Sequence, residues 1–355
     1  MINLSKLKEL RYEITLAICP ICSSRTDSNI SNYDGSFFFA SSTLWYHQIP
    51  IGIVATTDAT YQKVRVPLEE KGFKVTRFDT AKQAEKTIEE RKNYGAFVID
   101  STGDLTIYKA TAASTAVAQL LTDVGNGLVS KQKAAAQAHL TELMAKTTDV
   151  IQLKVLMNKA AALSEKKASV IDIKAFPKDD SKRTGLAAGA LPIALGGWIG
   201  AVAIGKLIKG KKQKFIGVIS FAVIGGLGLI GVLQYWIGTF DGNYLLTSLG
   251  AMIGIGATGF FVLGILEVLG TAGLGIAAIL LILLGNPLSG LLSAPELLPA
   301  GWGAFGQLLP PGATGTLLRN ITFFDGHAIA QPLLVLGVYI CLGMFLFKLG
   351  KKSTR

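Results

Sequence analysis

The 355-residue chain is half hydrophobic, with a mean hydropathy of +0.44 and only 17% charged residues. About 25% is typical of soluble domains. Residues 58–183 carry most of the ionisable groups, so the charge is distributed too unevenly for a chain made of soluble domains alone. The net charge is +11, and many of the lysines lie between or just after apolar stretches, which favours membrane orientation over nucleic-acid binding.

The first 48 residues contain two short apolar runs, at 14–24 and 36–46, with charged residues between them. Neither run reaches the roughly 20 residues that a membrane-spanning helix needs. Cys19 and Cys22 form a lone C-P-I-C motif, without the further ligands of a zinc site or the context of a redox site. We interpret them as incidental thiols.

Residues 49–184 are predicted to form a soluble α/β domain, because short apolar or alternating runs follow amphipathic ones. Strands are predicted at 49–56, 73–79, 94–100, 105–110 and 171–175. Helices are predicted at 59–72 with an interruption at Pro67, at 80–92 with Asp79 or Thr80 as cap, and from about 117 to about 146. The strand–helix–strand order predicts a small sheet covered by helices.

Residues 185–355 are predicted to be a membrane domain with five spans. Five runs carry no Asp, Glu, Lys or Arg, and each is long enough to cross a bilayer: 185–205, 215–240, 242–266, 268–295 and 326–347. Glycine is frequent in them, and two pairs have the G-x-x-x-G spacing of close helix contacts: Gly196 with Gly200, and Gly250 with Gly254.

Basic residues predict the orientation of these spans. One group lies between the first and second spans: Lys206, Lys209, Lys211, Lys212 and Lys214. A second group follows the fifth span: Lys348, Lys351, Lys352 and Arg355. Loops on the opposite side hold only Arg319, so the lysine loop and the C-terminus are predicted to be cytoplasmic and residues 49–184 extracytoplasmic. Glu267, at the end of the third span, is interpreted as solvated.

An apolar connection at 286–331 is interrupted by five prolines, so it cannot be one continuous helix. The prolines are Pro287, Pro295, Pro299, Pro310 and Pro311. We predict short re-entrant or interfacial helices on the outer side, with Trp302 near the lipid headgroups and Arg319 in the same segment. An ordinary surface loop is the alternative, against which the apolarity of the segment argues.

No residue cluster predicts catalysis, a metal or a cofactor. Residues 200–206 match a phosphate-binding loop in spacing, but Leu207 replaces its Ser or Thr and no strand precedes it. Two G-x-G-x-x-G matches, at 254–259 and 301–306, do not open a helix after a soluble strand, so helix packing and a broken outer segment explain them better. Asp179-Asp180 is interpreted as a solvated turn rather than a cation site.

Three longer stretches resemble membrane proteins of the ABC-2 permease type, in the branch of bacterial phage-infection (Pip-like) proteins. They are IPIGIV at 49–54, YGAFVID at 94–100 with the following IYKATAASTAVAQLL, and FPKDDSKRTGLAAGALPIALGG at 176–197. The segment at 283–326 before the last span is the most specific part. The resemblance implies a bacterial cell-membrane protein with an N-terminal span, an outer domain and five further spans, and residues 1–48 would hold an altered first span after a cytoplasmic flank.

The resemblance also implies a homodimer or heterodimer in the lipid bilayer, driven by a separate cytoplasmic ATPase near the Lys206–Lys214 loop. The predicted function is therefore the permease subunit of an ABC-2-like exporter for a hydrophobic or amphipathic compound or an envelope component. The alternative is a non-transporting cell-surface scaffold or phage-receptor-like protein, which the sizeable outer domain favours. Neither hypothesis involves nucleic acid, a cofactor or an activity of an enzyme.

Overall fold

The computed structural model describes residues 48–147, 149–165, 167–178, 180 and 185–350, all of which belong to one compact unit. The predicted first span and the C-P-I-C motif lie outside the described residues. The described chain begins with an α/β domain and continues into a helical bundle. The strands of the domain are β1 (Ile49–Ala55), β2 (Phe73–Phe78), β3 (Gly95–Ile99), β4 (Leu105–Lys109) and β5 (Ser169–Asp172). Its helices are α1 (Asp58–Glu70), α2 (Ala81–Glu89), α3 (Thr115–Lys146) and α4 (Val150–Glu165).

The five strands form one mixed sheet in the order β2-β1-β3-β4-β5. β1 is parallel to β2 and β3, β3 is antiparallel to β4, and β4 is parallel to β5. The helix-covered sheet and the first four predicted strands are confirmed, whereas the fifth strand, predicted at 171–175, begins earlier at Ser169 and ends at Asp172. Thr80 caps α2, its side chain accepting a hydrogen bond from the backbone of Gln83. The expected interruption at Pro67 is wrong, because α1 continues past this residue.

Helices α3 and α4 form a hairpin that extends beyond the sheet. The buried residues of α3 end at Val129, although the helix continues to Lys146. No residue of α4 is buried, and Val150 and Ile151 are 78% and 76% exposed. Helix α4 was not predicted from the sequence, because a helix without a buried face lacks the periodic apolar stripe on which such a prediction depends.

The bundle contains seven helices in the described residues after 184, four of them long and apolar enough to span a membrane. These four are α5 (Gly185–Leu207), α6 (Lys211–Gly231, extended by a π-helical turn to Trp236), α7 (Tyr244–Leu269) and α11 (Ala330–Leu349). The shorter ones are α8 (Thr271–Ala278, extended by a π-helical turn to Leu284), α9 (Trp302–Gln307) and α10 (Pro310–Phe323). The fold thus combines a small α/β sheet with an apolar bundle that indicates a membrane protein.

The predicted fourth span, 268–295, is not one continuous helix. Helix α8 and its π-helical turn end at Leu284, and residues 285–294 continue as turns and bends. The break precedes Pro287, which cannot donate to a helical hydrogen bond and clashes with the preceding turn. The uncharged run at 268–295 therefore predicted an apolar environment, but it did not predict that the helix ends at Leu284.

Helix α7 is the centre of the bundle. Of its most apolar 18-residue stretch 78% is buried, and it contacts α5, α6, α8, α10 and α11. Glycines make its contacts close. A methyl group on Gly197 of α5 would lie 2.4 Å from the carbonyl oxygen of Ile255, and one on Gly264 would lie 2.4 Å from that of Gly343 in α11. Gly196, which begins the first G-x-x-x-G pair, has nothing within 4 Å of such a methyl group. The G-x-x-x-G spacing therefore indicated the correct helix, α5, but the close contact with α7 is made by Gly197 and not by Gly196.

Candidate functional site

A cleft of about 510 Å³ lies where the α/β domain meets the bundle. We call it the junction cleft and define it by Arg91, Tyr94, Glu296, Arg319 and Asn320. The first two residues follow α2 in the domain, and the other three belong to the segment between α8 and α11. Of the predicted site residues, Arg319 and Pro299 line this cleft. Arg91 and Tyr94 were not predicted, because nothing in the sequence indicates which residues of the sheet domain face the bundle.

The segment 286–331 contains short helices, as predicted. Every residue of α10 except Thr316 is buried, and its two initial prolines, Pro310 and Pro311, lack the N–H groups that a first helical turn leaves unpaired anyway. Along α10, Thr314 packs against Gly254 of α7, and Leu318 and Ile321 pack against Gly250. The second G-x-x-x-G pair thus accommodates this short buried helix and not a helix of span length.

Two other predicted residues of the segment lie at its surface. Pro299 is exposed, and Trp302, the first residue of α9, is 49% exposed and forms an edge-to-face pair with Phe305. Their position next to buried α10 agrees with a segment that is partly inside the bundle and partly outside it. The placement of Trp302 near lipid headgroups stays a prediction.

Arg319 is the buried charge of the junction cleft, with 4% of its surface exposed. Its Nη2 donates to the carbonyl oxygens of Gly290 and Leu291, at 3.0 and 3.2 Å. Its Nε has no hydrogen-bond partner among the described residues. A guanidinium stays protonated in proteins, and a buried charge is costly unless it is paired. Arg319 therefore stabilises the irregular backbone at 290–291 and keeps a hydrogen-bonding capacity that the described residues do not use.

Arg91 links the domain to the bundle. Its Nε donates to Oδ1 of Asn320 at 3.2 Å, and its guanidinium lies over the rings of Phe324 and Tyr94, at 4.8 and 5.3 Å from their centroids. Nδ2 of Asn320 in turn donates to the carbonyl oxygen of Ala328 at 3.0 Å. Cation–π contacts and a hydrogen bond through a buried amide fix the domain on the end of α10.

Tyr94 and Glu296 form the second link. The phenol donates to Oε2 of Glu296 at 2.7 Å. Burial raises the pKa of Tyr94 above its ordinary value of 10.0. The positive charge of Arg91 lowers this pKa, whereas the adjacent Glu296 carboxylate raises it further. The phenol is therefore a neutral donor at physiological pH, and the cleft presents cationic, anionic and neutral polar groups beside apolar prolines and alanines.

The lysine loop lies at the opposite end of the bundle. Lys206, Lys209 and Lys212 are exposed, whereas Lys214 is buried and its Nζ contacts Oε1 of Glu267. The interpretation of Glu267 as solvated is wrong, because its side chain is only 8% exposed in this ion pair.

Lys211 also makes a contact of its own at this end. Its Nζ donates to the carbonyl oxygen of Gly350, just beyond the last turn of α11. Only three lysines of the predicted ATPase-facing loop are thus free of such contacts with α7 or α11 in the described residues.

Four buried hydroxyls in α7 and α10 have no hydrogen-bond partner among the described residues: Ser248, Thr258, Thr314 and Thr322. A buried polar group without a partner costs about 1–3 kcal/mol. Each unpaired group of this kind in a native structure calls for an explanation, such as local strain, an ordered water or an ion. The bundle therefore contains polar positions that nothing in its own described chain satisfies.

The remaining sequence matches have structural explanations. Residues 200–206 lie inside α5, where Gly200 packs against Phe221, and 254–259 lie inside α7. Asp180 is buried and accepts a hydrogen bond from the backbone of Gly185 at 2.9 Å, so the solvated-turn interpretation is wrong for it, and Asp179 lies outside the described residues. Among the described residues, no three His, Cys, Asp or Glu side chains are grouped closely enough to hold a metal ion.

Comparison with family models, with curated proteins and with solved structures found no match to this chain. The similarity to ABC-2 permeases and to the Pip-like branch therefore remains a prediction from the residues quoted above.

Proposed function

We propose that the chain is the membrane permease subunit of an ABC-2-like exporter in a bacterial cell membrane, powered by a separate cytoplasmic ATPase. The observation that supports this most is the break in the fourth apolar run, followed by the buried helix α10. Irregular backbone at membrane depth is tolerated only inside protein or beside a water-filled cavity. Discontinuous helices of this kind are typical of transporter substrate sites.

In the proposed topology the chain crosses the membrane five times after residue 185. The fourth crossing combines α8 with the non-helical residues 285–294, and α9 and α10 form a re-entrant hairpin. The α/β domain, which contacts Glu296 and Asn320, is then extracytoplasmic. The end formed by Lys211, Glu267 and Gly350 is then cytoplasmic, in agreement with the bias of the basic loops.

The polar content of the bundle supports a substrate that is amphipathic. The unpaired hydroxyls of α7 and α10 and the mixed lining of the junction cleft offer hydrogen bonds beside apolar surface. A purely structural bundle would gain stability by replacing such groups with apolar ones. Their presence therefore favours a path for a molecule or for water.

The test is isolation of the full chain from its native membrane in mild detergent, followed by measurement of ATP hydrolysis. We expect a nucleotide-hydrolysing subunit to accompany the chain, with an activity that vanadate inhibits. Charge reversal of the three exposed lysines, Lys206→Glu, Lys209→Glu and Lys212→Glu, should release this subunit, because the loop that would meet it becomes acidic.

The matched control reverses three exposed lysines of the α/β domain, Lys63→Glu, Lys71→Glu and Lys74→Glu. This variant should retain the ATPase, since the domain is on the other side in the proposed topology. Isolation without any ATP hydrolysis, or equal loss in both variants, would contradict the proposed function.

A non-transporting scaffold or receptor-like protein is the second candidate, and the α3–α4 hairpin favours it. Apolar side chains on α4, among them Val150, Ile151 and Met157, are exposed, as they are in surfaces that bind partners. Removing the hairpin at 131–165 should abolish phage adsorption or partner binding if this second function holds. An unchanged rate of export in the same variant would separate the two functions.

A further inference from the structure

A second, smaller cavity of about 190 Å³ lies on another side of Arg319. It is enclosed by the start of α3, the start of α5 and the irregular backbone after α8. The lining residues that matter here are Ser114, Thr115, Phe176, Leu291, Ser293 and Arg319. Sites for drug-sized ligands are about 300–1,000 Å³, so this cavity has room for a small group only.

The electrostatics of the cavity are one-sided. Arg319 is its only charged lining residue among the described ones, and no carboxylate lines it. The guanidinium is 4% exposed and its Nε lacks a partner in the described chain. The positive charge is therefore held in a partly dehydrated position without a compensating anion in the lining.

The start of α3 adds to this positive potential. Ser114 is the N-cap of this 32-residue helix, and its side chain accepts from the backbone N–H of Val117. The first N–H groups of a helix have no partner inside it, and the helix dipole adds about half a positive charge there. The first turn contains no acidic residue that would neutralise it.

The start of α5 contributes less, because it already has an anionic partner. Asp180 accepts a hydrogen bond from the N–H of Gly185, the first residue of that helix. The cationic groups at the cavity are therefore the N-terminus of α3 and the side chain of Arg319, with the hydroxyls of Thr115 and Ser293 beside them. Glu296 acts on Arg319 from the junction cleft, but the two form no ion pair among the described residues.

We propose that this cavity binds a phosphate group. A guanidinium, free helical N–H groups and hydroxyl donors are the groups that recognise phosphate in proteins. The phosphate can be free in solution or belong to a lipid headgroup, whose chains would continue past Leu291 and the exposed Leu292. This site does not depend on the transport proposal, because its binding can be measured without any ATPase.

The test introduces a carboxylate into the cavity by substituting one of its own lining residues. Ser293→Asp supplies Arg319 with an anionic partner and repels phosphate, whereas Ser293→Asn has nearly the same size and no charge. Both variants retain Arg319 and its hydrogen bonds to the backbone at 290–291, so the fold is preserved. The probes are radiolabelled inorganic phosphate on full-length protein in detergent, and phosphatidylcholine nanodiscs with or without phosphatidic acid, in which retained lipid is identified by native mass spectrometry.

We expect the wild-type protein and Ser293→Asn to bind one equivalent of phosphate or of phosphatidic acid. Ser293→Asp should bind at least about tenfold more weakly, as one like charge at close range is worth about 1.4 kcal/mol or more. Binding of inorganic phosphate identifies a soluble source, and retention of phosphatidic acid without phosphate binding identifies a lipid. No binding of either probe by the wild-type protein, or equal binding by the two variants, would overturn the proposal.

Discussion

The ion pair between Lys214 and Glu267 offers a quantitative test of how the lysine end of the bundle is built. The two side chains are 10% and 8% exposed, and they join the beginning of α6 to the end of α7. Replacing only one partner, by Lys214→Met or Glu267→Met, leaves the other charge buried without compensation. Such single changes cost about 3–5 kcal/mol, whereas an exposed pair is worth about 0–1 kcal/mol.

The double variant separates attraction from the cost of burial. At an effective dielectric constant of about 20, two unit charges in hydrogen-bond contact attract by about 5 kcal/mol. Removing both charged groups from water costs several kcal/mol per ion, so the two terms nearly cancel. We therefore expect the double variant, with methionine at both positions, to be within about 1.5 kcal/mol of the wild-type protein.

The measurement is reversible unfolding of the purified protein in mixed detergent micelles, with the four proteins of the cycle compared. The coupling free energy should be about 3 kcal/mol or more, and Lys212→Met, an exposed neighbour, should change stability by less than about 0.5 kcal/mol. The reasoning would be refuted if the single variants lowered the free energy of unfolding no more than Lys212→Met and the coupling free energy were near zero.

Two further predictions concern close packing and the junction cleft. Gly197→Ala should lower stability by about 1–3 kcal/mol through overpacking against Ile255, while the adjacent Gly196→Ala, in open space, should be neutral or slightly stabilising; equal effects in a thermal unfolding assay would contradict the helix contact. Tyr94→Phe should cost about 1.5–3 kcal/mol by leaving Glu296 without its donor. The wild-type protein should also lose stability faster than this variant above pH 10.0, because the unfolded chain releases the phenolic proton first; parallel pH profiles would argue against the buried phenol.

The α/β domain was largely predictable because its signals are local. Alternation in β2, the apolar run of β1 and the cap at Thr80 each depend on a few consecutive residues. Helix α4 was not predictable in this way, since none of its residues is buried and its sequence carries no strong apolar face. The order of strands, with β1 between β2 and β3, agrees with the ordinary arrangement of parallel strand–helix–strand units.

In the bundle, the absence of charged residues predicts an apolar environment but does not predict where a helix ends. The run at 268–295 is uncharged, yet Pro287 ends its helix early, and hydropathy alone does not report such a break. The candidate site depends on contacts over long separations, such as Arg91 with Asn320 and Tyr94 with Glu296. No periodicity in the sequence encodes those pairs, so only the folded chain identifies the cleft.

Helix α7 has a mechanical consequence for whatever the protein does. It meets α5 and α11 through close glycine contacts: a methyl group on Gly197, Gly264 or Gly343 would lie 2.4 Å from a backbone atom of the facing helix, so backbone lies almost directly on backbone there. Smooth surfaces of this kind have few side chains to interlock, while their many short contacts oppose separation. Helices α5 and α11 can therefore slide lengthwise past α7 more readily than they can part from it, so a relative movement of these helices would proceed by shear.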